Sequence, residues 1–105
     1  MPENRLSQMN DLAVQYILDP NPPIGALPRT LAQGWPDAAA LEVGLAMTEA
    51  CHGIEQMYSA LPGLSERVIQ GWRLAALIGG EVLVLQRRGL ADVRARDLMQ
   101  LWSSA

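Results

Sequence analysis

Residues 74–85 are apolar apart from Glu81, and this run limits the possible folds more than any other part of the sequence. At a period of 3.6 residues per turn, its side chains and those just before it fall into three stripes around one helix. The stripes are Val68, Trp72, Ala75, Gly79 and Val82; Leu74, Ile78 and Leu85; and Leu77 with Val84. A helix that is apolar on every side is covered on several sides in the folded protein.

The dipeptide Gly79-Gly80 leaves two interpretations of this segment open. In the first, one helix continues to about Arg88, and its small residues let another helix approach closely; these residues are Ala75, Ala76, Gly79 and Gly80. In the second, the glycines end the helix and residues 81–86 form a strand. The continuous helix is the preferred interpretation and the strand is its alternative.

Two further helices are predicted in the first 61 residues. Residues 5–18 place their apolar side chains on one arc, and this helix must end before Pro20 because proline disfavours helical geometry at the preceding residue. Residues 38–61 form a second helix, with Asp37 as its N-cap and an apolar stripe of bundle type.

The C-terminal part of the chain completes an all-α fold. The helix that contains the apolar run begins at the N-cap Ser65, and a last helix runs from Asp92 or Val93 to about residue 103. The chain has 16 Leu and 14 Ala among 105 residues, a balance that favours helix over sheet. We therefore predict one domain, residues 1–105, built as a bundle of about four helices.

The connection between the first two helices, residues 19–36, contains five of the seven prolines but is not polar. Its apolar side chains are Ile24, Leu27, Leu31 and Trp35. We expect a proline-rich apolar loop that packs on the body of the protein, with room for a short helical turn at residues 29–33. Packing beneath this loop is the preferred role for Trp35, and contact with a partner protein is the alternative.

The cellular location of the protein is predicted from features that the sequence lacks. Cys51 is the single cysteine, so no intramolecular disulfide can form, and the first residues lack the pattern of a signal peptide. The apolar run of 12 residues is too short to span a bilayer. We expect a cytoplasmic protein without membrane contact.

Glu49 and His52 form the sharpest candidate for chemistry, because Glu-x-x-His places both side chains on one face of a helix. Helix-bundle di-iron proteins use this spacing. A homodimer would supply the motif twice, and Glu81 could supply the remaining carboxylates at the dimer axis. The preferred interpretation is that Glu49 and His52 are ordinary surface residues, since both lie opposite the apolar stripe of their helix and face solvent. The preferred interpretation therefore includes no cofactor.

Other functional classes find less support. Nucleic-acid binding is disfavoured by the net charge of −3, although residues 63–105 carry six Arg against four acidic residues. A helix-turn-helix regulator would need its second helix at about residues 81–88, where Val82 and Val84 would replace the polar residues that read bases. Cys51 and His52 project about 100° apart on their helix and cannot form a nucleophile–base pair.

By elimination, we predict a small interaction or accessory module that is not an enzyme and pairs with itself or with another protein. The apolar faces left over after the bundle core is filled would form a two-fold interface. The candidate contact residues are Leu41, Leu45, Leu77 and Val84, with Trp35 in the proline-rich connection. The two alternatives are a di-metal carboxylate site and a DNA-binding regulator.

Overall fold

The first helix, α1, covers Arg5–Leu18, the bounds that the apolar spacing predicts. Asn4 caps it, since its side-chain Oδ1 accepts a hydrogen bond from the Leu6 amide at 2.9 Å. The helix ends before Pro20, as the restriction on the residue preceding proline requires. The structure, a computed structural model, describes residues 4–58 and 64–103 of the chain.

The proline-rich connection is largely helical. A 3-10 turn at Ile24–Ala26 leads directly into α2, Leu27–Gly34. Pro28 lies in the first turn of α2, where a helix tolerates proline because the missing amide has no partner there. The described part of the chain therefore has five α-helices rather than the predicted four, and the short helical turn expected at residues 29–33 is a complete helix.

The remaining helices are α3 (Ala40–Tyr58), α4 (Leu64–Arg87) and α5 (Ala95–Ser103). Helix α4 continues through Gly79-Gly80, so the strand at residues 81–86 and a second helix beginning at Glu81 are both wrong. Two glycines cost about 1–2 kcal/mol of helix propensity. Unbroken helix keeps Ile78 and Val82, 1% and 5% exposed, on one buried face. The all-α class is confirmed.

Helix α3 begins differently from the prediction. Asp37 is exposed and accepts a hydrogen bond from Arg96 instead of capping the helix. The Ala39 amide donates to Glu42 Oε1 at 3.1 Å, which is the reciprocal half of a capping box. The predicted end at residues 59–61 lies outside the described residues.

The other two predicted N-cap residues also do not cap their helices. Ser65 lies within α4, one residue after its first described residue. Helix α5 begins at Ala95, and the Arg94 amide donates to Asp97 Oδ2 at 2.8 Å. Asp92 instead forms an ion pair with the Arg94 guanidinium. Three-residue spacing to a carboxylate, rather than a favourable cap residue, marks the start of both α3 and α5.

Helix α3 lies between α1 and α4 and provides the centre of the core. Gly71 lets α3 and α4 approach closely, because a Cβ there would lie 2.6 Å from Cys51 Sγ, whereas a Cβ at Gly44 would lie 3.5 Å from Ile78 Cγ2, an ordinary contact distance. Added Cβ atoms at Gly79 and Gly80 would meet nothing within 4 Å. The close approach of another helix that the sequence predicted at these two glycines does not occur within one chain.

Candidate functional site

Large apolar side chains of α3 and α4 remain exposed on the outside of this helix pair. Leu41 is 57% exposed, Leu45 45%, Leu77 61% and Val84 43%. Leu83, which the sequence analysis placed in no stripe, is 50% exposed. These five residues define what we call the α3–α4 surface. The core does not need any of the four side chains that the sequence analysis chose for a partner contact.

Gly44 lies against the Ala75 backbone and the Ile78 side chain, so Leu41 and Leu45 lie beside the line along which α3 meets α4. On the outer face of α4, all the exposed residues between positions 76 and 84 are apolar; they are Ala76, Leu77, Gly79, Gly80, Leu83 and Val84. Leu77 lies nearest to α2 and α5, and Leu83 lies six residues later, about 120° around the helix. The exposed apolar residues therefore spread around the outer half of α4.

The charged residues lie at the two ends of the α3–α4 surface. Arg87 and Arg88 are exposed at the end of α4. Glu49, His52 and Glu55 are exposed on the second half of α3, which lies beside the first half of α4 because the helices run antiparallel. Arg73 is exposed on α4 beside Glu49, so basic residues lie at both ends of the surface.

Helix α4 is also the one helix in the described residues that is long and apolar enough to cross a membrane, by length and composition. Its 24 residues exceed the 12-residue run on which the sequence argument against a span depended. Only 22% of the apolar window is buried inside the protein.

Trp35 differs from the other predicted contact residues. It follows the last residue of α2, and its side chain is half-buried against the hydrophobic core. Its amide donates to Leu31 O at 3.0 Å and its carbonyl accepts from Ala38 at 3.1 Å. Trp35 thus packs on the body of the protein, which was the preferred of its two predicted roles.

The three candidate metal ligands do not meet within one chain. Glu49 and His52 are exposed on α3, as expected of ordinary surface residues. Glu81 lies on the side of α4 that faces α5, where its Oε2 accepts a hydrogen bond from Trp102 Nε1 at 3.0 Å. Residues 4–58 and 64–103 contain no group of three or more His, Cys, Asp or Glu side chains that could hold a metal ion. A site shared by two copies stays a prediction.

Glu81 contributes to a different feature, a cleft between α2, α4 and α5 with a volume of about 190 Å³. The Arg29 guanidinium lies over the Trp102 ring, 5.9 Å from its centroid. The sequence analysis gave Arg29 and Trp102 no role, and it considered Glu81, the one charged residue in an otherwise apolar run, only as a metal ligand.

Cys51 lies in the core, fully buried, and its thiol donates to the Val68 carbonyl with a distance of 3.6 Å. Burial raises the pKa of the Cys51 thiol to about 11, and the nearby Glu55 carboxylate acts in the same direction. The thiolate, which is the nucleophile, is therefore suppressed at neutral pH. Cys51 fills space, as predicted.

The chain has no match among protein-family models, curated proteins or solved structures, so its interpretation depends on the residues described above.

Proposed function

We propose that this protein is a non-enzymatic interaction module that forms a homodimer through the α3–α4 surface. The observation that carries the proposal is the exposure of Leu41, Leu45, Leu77, Leu83 and Val84, between 43% and 61%, on one pair of packed helices. Covering apolar surface is the main favourable contribution to protein association. A two-fold interface uses the same surface on both subunits, so one exposed patch is sufficient.

The dimensions of the helix pair suit this role. Helix α3 has 19 residues and α4 has 24, and they lie side by side over about residues 64–80 of α4, about 25 Å at a rise of 1.5 Å per residue. Two packed helices have axes about 8–10 Å apart and present a face about 20 Å wide. This face, about 500 Å² in projection, is smaller than the roughly 800 Å² that each partner buries in a standard interface, so the interface also uses the end of α4 that extends past α3.

The register of α3 against α4 fixes where the exposed side chains lie along the surface. Gly44 lies level with Ala75 and Ile78, and Cys51 lies level with Val68 and Gly71, which sets the register of α3 against α4. In this register Leu41 is level with about residue 79, and Glu49 with about residue 71.

A membrane is the main rival for the same surface. Crossing a bilayer would place Arg73 and Glu81, which lie on α4 between its apolar residues, at the depth of the lipid chains. It would also remove α4 from α3 and from the groups that Arg67 bonds on α1 and in the connection that follows it. These costs favour a protein partner.

Sedimentation velocity at micromolar concentration tests the proposal. We expect a dimer, and we expect Leu77→Glu to weaken it by at least about 30-fold, which corresponds to an interface hot spot of about 2 kcal/mol. Met57→Glu is the matched control, because Met57 is 74% exposed on another side of α3. Circular dichroism of both variants should show unchanged helix content.

A wild-type protein that sediments as a monomer would overturn the proposal. So would a monomer that binds to vesicles of anionic phospholipid through Leu77.

A further inference from the structure

The cleft between α2, α4 and α5 has apolar walls and two charged groups. Pro28 and Arg29 come from α2, Trp102 comes from α5, and α4 contributes Leu74, Leu77, Ile78 and Glu81. Its volume of about 190 Å³ is below the range of about 300–1,000 Å³ that drug-sized ligands occupy. The cleft can therefore enclose a small molecule but not a nucleotide or a large cofactor.

The two charges in the cleft do not neutralise each other directly. Trp102 Nε1 donates to Glu81 Oε2 at 3.0 Å, and the Arg29 guanidinium lies 5.9 Å from the Trp102 ring centroid. The ion pairs in the described part of the chain are Arg5–Glu42, Arg94–Asp92 and Arg96–Asp37. Glu81 and Arg29 thus face one cavity with the indole as a common neighbour and without an ion pair between them.

We propose that this cleft binds a small zwitterion with an apolar body, the chemical class of the apolar α-amino acids. The ammonium group pairs with Glu81 Oε1, and the carboxylate pairs with the Arg29 guanidinium, which offers the planar donor pair that carboxylates accept. The apolar body lies against Leu74, Ile78 and the Trp102 ring. Leu77 belongs both to the cleft wall and to the α3–α4 surface, so the titration below is repeated at two protein concentrations to separate ligand binding from association.

The two charges exclude simpler ligands. A cation without a carboxylate would face the unneutralised guanidinium of Arg29, and an anion without an ammonium group would face the Glu81 carboxylate. A neutral apolar molecule would leave both charged groups partly desolvated without partners. A zwitterion pairs with both groups and leaves the net charge of the site unchanged.

The test is a titration with L-leucine followed by the Trp102 indole ¹H–¹⁵N resonance, which Trp102→Phe assigns by removing it. We expect this resonance to shift and saturate, with concentrations up to about 10 mM sufficient to define a Kd of about 1 mM. Leucine methyl ester lacks the carboxylate and 4-methylpentanoate lacks the ammonium group. Each should bind at least about tenfold more weakly, the effect of one lost charge-assisted hydrogen bond.

Variants identify the two charged groups. Glu81→Gln keeps an acceptor for Trp102 but loses the charge, and Arg29→Met keeps much of the apolar stem; each should weaken leucine binding about tenfold. Arg88→Met is the matched control and should bind as the wild type does, because Arg88 lies outside the cleft. An unmoved Trp102 resonance in the wild-type titration overturns the proposal, as does equal binding of leucine and both analogues.

Discussion

Arg67 connects α4 to the end of α1, and replacing it should destabilise the protein more than replacing any exposed arginine. Its Nε donates to Ile17 O at 2.8 Å, its Nη2 to Tyr16 O at 2.9 Å and its Nη1 to Pro22 O at 3.0 Å. Two of these carbonyls belong to the last turn of α1, whose carbonyl groups have no partner within the helix. One guanidinium therefore satisfies acceptors from the helix end and from the connection that follows it.

A hydrogen bond to a charged group contributes about 1.5–3 kcal/mol, and three bonds from one group are not additive. We expect Arg67→Met to lower the free energy of unfolding by about 3–4 kcal/mol. Arg67→Lys should lose about half as much, since an ammonium group keeps the charge but cannot reach three carbonyls in a planar fork. For a domain of about this size, 3 kcal/mol corresponds to a fall in Tm of about 15 °C.

The assay is urea unfolding followed by circular dichroism, at one fixed protein concentration so that association does not differ between variants. Arg73→Met is the control, because Arg73 is exposed on the same helix and should change the free energy by less than about 0.5 kcal/mol. Equal unfolding midpoints for Arg67→Met and Arg73→Met would show that the three hydrogen bonds do not hold α1 to α4.

Three further perturbations test the core and the α1–α3 ion pair. Gly71→Ala should destabilise the protein by about 1–3 kcal/mol in urea unfolding, because its Cβ would lie 2.6 Å from Cys51 Sγ; Gly53→Ala, with nothing within 4 Å, should be neutral or stabilising. Cys51, with its pKa raised to about 11, should resist iodoacetamide at pH 8 in the native protein and react once urea unfolds it. Hydrogen bonding to Arg5 holds the pKa of Glu42 below its ordinary value of 4.5. Its stabilising contribution is therefore complete above pH 4.5 and is lost as the pH falls through the lowered pKa; Glu42→Gln should remove that part of the acid dependence.

Each of these has a clear opposing result. Equal stability of the alanine variants at the two glycines would mean that α3 and α4 do not approach closely at Cys51. Alkylation of the native protein at the rate of an exposed thiol would place Cys51 outside the core. An acid unfolding curve unchanged by Glu42→Gln would mean that the contact with Arg5 is absent in solution.

Local rules were sufficient for much of the helical framework. The spacing of apolar residues and the position of Pro20 predicted α1 to the residue, since both act within a few positions along the chain. Periodicity also placed Leu41, Leu45, Leu77 and Val84 outside the core, and they are exposed, but it wrongly placed Met57 in the core stripe of α3, where the side chain is 74% exposed.

Contacts between distant residues were needed for the rest. The start of α3 depends on Glu42 and on the Val93 carbonyl, which accepts from the Ala40 amide, so no local cap preference at Asp37 could locate it. The cleft requires Arg29, Glu81 and Trp102 from three helices. Side-chain spacing reports which residues share a face of one helix, whereas the position of that face against another helix depends on packing at Gly44 and Gly71.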